Sequence, residues 1–315
     1  MADLHPELFA ADVLDGARVL AQPPAVTEPA AALVRRARRV LFLGMGSSRY
    51  AALDAATILR SHGYDAYSEL ASTGSPQPPA ADTLTVAISA SGGSAETLAA
   101  MRRHLGTSMV VGVTSRPQSA IGREADTCLV TAADGRSGVA CASYRSTVAL
   151  LQALCGLVTG AAGSAAAAAA ASAAVLAGRD GWVDRAVELL GGGPIHVLAP
   201  AERFGSAEQS ALMLREVPRV AAYACETGDW SHVDVYLTKR AGYGILLLPG
   251  SAYEPELIRW AAERGFPVVV AGGSLPGSAL DIDLPGTANP AVRALVETHV
   301  AELLAAALWE RAPIT

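Results

Sequence analysis

Two series of short apolar runs, each run leading into a helical sequence, leave few architectures open to this chain. In the first half, residues 40–43, 64–68, 84–88, 109–113 and 128–130 read as strands. In the second, residues 195–198, 245–248 and 268–270 do the same. Runs without alternating polar positions are buried on both faces, and strands spaced by helices pair in parallel. The expectation is an α/β fold with two similar domains, each a parallel sheet with helices on both faces in a flavodoxin-like three-layer sandwich. In such sheets ligands bind beyond the carboxyl ends of the strands.

Helical sequences are expected at 6–20 before the break at Pro23-Pro24, at 50–59, from Arg203 to Glu216, and in one long final helix over 290–309. Arg203-Phe204 echoes Arg49-Tyr50 after the first strand of each half, and Ala271-Gly-Gly-Ser274 echoes Gly112-Val-Thr-Ser115. These echoes indicate a duplicated domain. The expected organisation is an N-terminal helical arm at 1–38, a first domain at 39–163 carrying a phosphate site, an Ala-rich helical connector at 164–190, and a second domain at 191–315.

The stretch Val86-Ala-Ile-Ser-Ala-Ser-Gly-Gly-Ser-Ala-Glu-Thr97 carries the chemistry. A buried strand that breaks at serines and glycines and re-enters as a helix leaves backbone N–H groups unpaired at the helix start, which favours an anion. Gly44-Met-Gly-Ser-Ser48 makes a second strand-to-helix turn of this kind, and the two can converge on one ligand. A dinucleotide fingerprint is not expected, because Arg49 occupies its third glycine position. The plainer alternative is that the serines only cap helices, which accounts for one or two of them but not for a cluster at two strand ends. The corresponding second-half turn, Leu248-Pro-Gly-Ser251, keeps one hydroxyl, so one phosphate site per chain is expected.

A formal net charge of −6 and the lack of a Lys/Arg-rich run argue against nucleic acid as a partner. The four cysteines have neither CxxC nor Cys/His metal spacing, so no metal and no cofactor are expected, and the compartment is expected to be the cytoplasm. Residues 146–178 carry no charge, but glycines and alanines fill the stretch, which reads as a buried helix running into a connector rather than a membrane span. Lys239 is the only lysine, so Schiff-base chemistry could use no other residue.

Gly44-Met-Gly-Ser-Ser48, Ser89-Ala-Ser-Gly-Gly-Ser94 and Gly138-Val-Ala140, in that order, resemble the sugar isomerase (SIS) domain family. The tandem arrangement resembles the isomerase half of glucosamine-6-phosphate synthases, without the glutaminase domain. The resemblance implies that Ser47, Ser48, Ser89, Ser91 and Ser94 hold the phosphate of a sugar phosphate, with Gly46, Val139, Ala140, Asp229 and Lys239 toward the sugar. Ala211-Leu-Met-Leu-Arg-Glu-Val217 resembles the family's Ala-Leu-Lys-Leu-Lys-Glu-Ile, and Thr227-Gly-Asp-Trp-Ser-His232 its Ala-Gly-Glu-x-x-His. Glu216 then falls on the carboxylate that moves a proton between C1 and C2. His232 falls on the ring-opening histidine, supplied in the family by the neighbouring subunit of a homodimer.

The departures bear on the reaction. Met213 and Arg215 stand where the family synthases have lysines, and Ser143 where another is common. The family's C-terminal active-site lysine has no counterpart after Trp309. Amide transfer from glutamine is therefore not expected. Two readings remain: an aldose–ketose isomerase or amino-sugar-phosphate deaminase, and a sugar-phosphate-binding regulatory protein without catalysis.

Overall fold

A computed structural model describes residues 5–161 and 164–311; the chain's two ends and the expected domain limit at residue 163 lie outside them. The chain divides into two units. One holds Arg18–Gly135 with Val139–Ala165, and the other holds the residues before these, Arg136–Gly138, and the chain from Ala166 onward.

The first unit is built on five parallel strands, β1 (Arg39–Gly44), β2 (Asp65–Leu70), β3 (Thr83–Ile88), β4 (Met109–Thr114) and β5 (Thr127–Val130), in the order β2-β1-β3-β4-β5. Every residue of β3 and β4 is buried, which is why their sequences run apolar without alternation. The helices Ser47–Ser61, Ala95–Arg102, Ala120–Glu124 and Ala142–Thr159 flank the sheet.

The second unit is built on β6 (Ile195–Ala199), β7 (Ala222–Glu226), β8 (Gly244–Leu247), β9 (Val268–Ala271) and β10 (Leu280–Ile282), ordered β10-β9-β8-β6-β7. Counted from its own first strand, this is the order of the first sheet, and all pairings are again parallel. Two parallel α/β sheets flanked by helices are thus present, one in each unit, as the sequence predicts. Two edge strands, β7 and β10, escaped the search for apolar runs. The expected single final helix is interrupted at Glu297, giving Pro290–Val296 and Thr298–Arg311. Among the described residues no helix is long and apolar enough to cross a membrane.

Candidate functional site

In the first sheet, chain order reverses between β1 and β3, where Leu43 lies opposite Ala87. The turns leaving these two strands therefore issue side by side, the place where open α/β sheets take ligands. After β1 the backbone passes through Gly46 at φ +49°, and the helix Ser47–Ser61 starts without a side-chain cap. Ser47 and Ser48 are half-buried in its first turn, and their hydroxyls make no hydrogen bond among the described residues.

The turn after β3 is pinned to the end of β4. Thr114 and Ser115 hydroxyls donate to Ala90 O at 3.0 and 2.8 Å. Gly92 sits at φ +64°, where a Cβ would lie 1.9 Å from Ser119 Oγ, so no side chain fits. Ser94 caps the helix Ala95–Arg102, its Oγ accepting from Thr97 N–H at 3.3 Å and donating to Glu96 Oε2 at 3.0 Å. Its own backbone N–H, and then Ser94, hold the Glu96 carboxyl below the usual carboxylate range. Ser91 is exposed and its Oγ accepts from Gly93 N–H at 3.3 Å, whereas Ser89 is buried. Capping explains Ser94 and a local turn explains Ser91. Ser47, Ser48 and Ser89 have neither role.

The loop between β5 and the helix Ala142–Thr159 carries Val139, buried, and Ala140, half-buried. Side chains rather than a strand ladder set its shape. Ser146 Oγ accepts from Ala132 N–H at 2.8 Å, and Asp134 Oδ1 from Ser143 N–H at 3.0 Å. Asp12, on the helix Pro6–Leu14, accepts from the N–H groups of Arg136 at 3.1 Å and Ser137 at 2.7 Å. Asp12 was not among the sequence candidates, because nothing local connects it to a loop 124 residues away.

The remaining candidates belong to the second unit. Glu216 is half-buried and ends the helix Phe204–Glu216, which runs back from the carboxyl end of β6 and so leaves Glu216 at the amino end of the sheet. Met213 is fully buried in the same helix, and Arg215 is exposed. His232 and Asp229 are exposed on the segment between β7 and β8, with His232 N–H donating to Asp229 O at 2.9 Å. Glu226 Oε2 accepts from the N–H groups of Gly228 and Asp229, each at 2.8 Å, and fixes the start of that segment. Lys239 is exposed in a cleft of about 730 Å³ with Gly192, Arg240, Tyr243 and Arg264, also at the amino ends of the strands. The structure thus gathers Gly46 and the five serines at one switch point. It leaves Glu216 and Lys239 at the amino end of the other sheet. Among the described residues no group of three or more His, Cys, Asp or Glu could hold a metal ion.

The second switch point, between β6 and β8, is filled by the chain itself. Glu254 Oε1 accepts from Gly250 N–H and, at 2.8 Å, from Ser251 N–H. Arg203 donates to Pro249 O and to the fully buried Glu297, and Arg293 Nη1 donates to Pro249 O at 2.9 Å. A carboxylate on backbone N–H groups and a guanidinium on a carboxylate are what an anion site contains. Here every component is internal.

The SIS domain family model matches residues 33–160, the stretch that includes all of the first sheet and the cradle turns. Residues 33–160 are a SIS domain. The second sheet repeats the strand order of this SIS domain. A curated relative, the glutamine–fructose-6-phosphate aminotransferase (isomerizing) of Aeropyrum pernix, is 30% identical over 309 residues, covering 89% of this chain and 49% of that protein. The chain therefore spans about half the length of that relative. Among solved structures, the tagatose-6-phosphate ketose/aldose isomerase of Escherichia coli superposes with a TM-score of 0.79 at 15% identity, covering 98% of this chain and 94% of that one. The glucosamine-6-phosphate deaminase of Thermotoga maritima does so with a TM-score of 0.77 at 18% identity, covering 98% and 95%. At these identities the structural likeness concerns the fold.

Proposed function

We propose that the chain binds a sugar phosphate through its SIS domain and interconverts the sugar between aldose and ketose forms, by itself or coupled to loss of ammonia. The observation that carries this reading is the first switch point. Two Ser/Gly turns lie together there, and three of their hydroxyls are uncommitted among the described residues. Proton transfer between C1 and C2 needs one base that takes a proton and returns it; Glu216 is half-buried and suits that task, with His232 opening the ring. We assign His232 to act across a homodimer, in keeping with its exposure on a short loop. Four free cysteines suit a reducing cytoplasm. The relative's name joins fructose 6-phosphate to isomerisation, and the two solved neighbours named above add an isomerase and a deaminase.

A second reading draws on Met213, which buries a thioether in the core where the family synthases carry lysine. In that reading the chain senses a sugar phosphate without changing it. Titration calorimetry with fructose 6-phosphate and glucosamine 6-phosphate, followed by proton exchange at C1 and C2 in deuterated water, separates the two. The enzyme reading expects exchange that Glu216→Gln lowers by at least about a hundredfold, on the scale of general acid–base catalysis. Binding without exchange supports the sensor. Exchange that survives Glu216→Gln removes Glu216 from the chemistry.

A further inference from the structure

We infer that Arg49 is the cationic ligand of the cradle and neutralises the dianion of a phosphate monoester. The inference rests on the phosphosugar reading and adds to it a residue that the cradle's serines and glycines do not supply.

Arg49 follows Ser47-Ser48 in the first turn of the helix Ser47–Ser61, at the switch point itself. Among the described residues its side chain makes no hydrogen bond or ion pair, and its Nε is buried without a partner. A buried, unpaired guanidinium N–H is costly, and such a group persists where a ligand completes it. The second unit shows what that ligand would look like. Arg203 lies four residues past β6, as Arg49 lies five past β1, and each precedes an aromatic residue. Arg203 is engaged internally: it donates to the buried carboxylate of Glu297 and to Pro249 O in the turn after the adjacent strand β8. The turn after β3, which corresponds to that of β8, has no carboxylate paired with an arginine among the described residues: Glu96 accepts from Ser94 and from its own backbone N–H, while the hydroxyls of Ser47, Ser48 and Ser89 stay uncommitted. The chain's own anion completes one arginine, and an external anion completes the other. A forked guanidinium also matches two phosphate oxygens at once, which a hydroxyl cradle alone does not neutralise.

The test is titration calorimetry of the full chain with inorganic phosphate and with fructose 6-phosphate, on wild type, Arg49→Lys and Arg49→Met, with urea midpoints as a check on folding. Arg49→Met is expected to weaken both ligands about tenfold to a hundredfold, in line with the loss of a charge-assisted bidentate contact, with Arg49→Lys between it and wild type. A merely structural role would leave the pH profile alone. If Arg49 reads the dianion, wild-type affinity for the sugar phosphate rises as pH passes the second phosphate pKa, about 6, and Arg49→Met flattens that rise. Should Arg49→Met not fold, Arg49→Lys decides: intermediate affinity supports the assignment, and wild-type affinity with a wild-type pH profile overturns it. Wild-type behaviour in Arg49→Met overturns it likewise while leaving the cradle in place. A wild-type chain that binds neither ligand overturns the phosphosugar reading, and this inference with it.

Discussion

The two sheets share a strand order but finish their switch points differently. Past β3 the chain presents serine hydroxyls and helix-start N–H groups; past β8 the corresponding N–H groups of Gly250 and Ser251 already hold Glu254. Past β1, Arg49 has no partner among the described residues, while past β6 Arg203 is locked to Glu297. The parallel sheet thus creates an anion-binding geometry by default at both points, because strand-to-helix turns leave N–H groups unpaired. Whether a ligand enters is decided by a few carboxylates that the chain does or does not supply. Sequence alone showed the second cradle short of hydroxyls. The structure adds that it is closed.

Breaking the second site should cost the most. Glu297 is fully buried and Arg203 nearly so, and removing one partner of such a pair leaves an uncompensated charge in the core. Arg203→Met is expected to lower the unfolding free energy by about 3–5 kcal/mol, measured by urea denaturation. The cradle of the other sheet should keep its phosphate affinity. If the variant loses phosphate binding while still folded, the two switch points are not independent and the comparison fails.

Glu254→Ala sharpens the contrast at smaller cost. The N–H groups of Gly250 and Ser251 lose their acceptor, a change of about 1–3 kcal/mol if water replaces it poorly. Arg203 and Arg293 remain beside them. A weak second phosphate site is expected in calorimetry, raising the stoichiometry above that of wild type at high phosphate. An unchanged stoichiometry would mean that Glu254 is a helix-start cap and not a stand-in for an anion.

What could be read from the sequence follows from range. The strands β1, β3, β4, β6, β8 and β9 are buried along their length, so their apolar runs announce them. The edge strands β7 and β10 do not: Tyr223 is exposed and Asp281 points to solvent, so the runs are broken by polar or exposed positions. The final helix was expected to be continuous because no Gly or Pro marks Glu297, whose buried bond to Arg203 spans 94 residues. The cradle serines were legible because turn chemistry is local. Asp12 was not, because its two acceptor bonds reach a loop far along the chain.

The smallest expected effect contrasts one buried histidine from each unit. His104 Nδ1 lies 3.2 Å from Ser108 Oγ, whereas His196, 1% exposed, has no partner for either ring nitrogen among the described residues. Its ring stacks on Tyr243 at 4.3 Å between centroids and lies 5.2 Å from Tyr223. Burial lowers the pKa of both histidines from the ordinary 6.5, with Asp234 acting in the opposite sense on His196. A folded-state pKa below the unfolded one means that the unfolded chain takes up protons first as the solution is acidified. The stability these groups contribute is therefore present above about pH 6.5 and is lost as pH falls through their folded-state values. His196→Phe keeps a ring in the stack and removes the titration. Urea midpoints at pH 7.5 and pH 5 should then differ less in the variant than in wild type, with the remaining slope shared by His104 and the carboxylates. Parallel losses in the two proteins would show that His196 takes up its proton in the folded chain as readily as in the unfolded one, or that acid opens the molecule elsewhere first. In either case the orphaned ring nitrogens of β6 would have no bearing on how the second unit responds to acid.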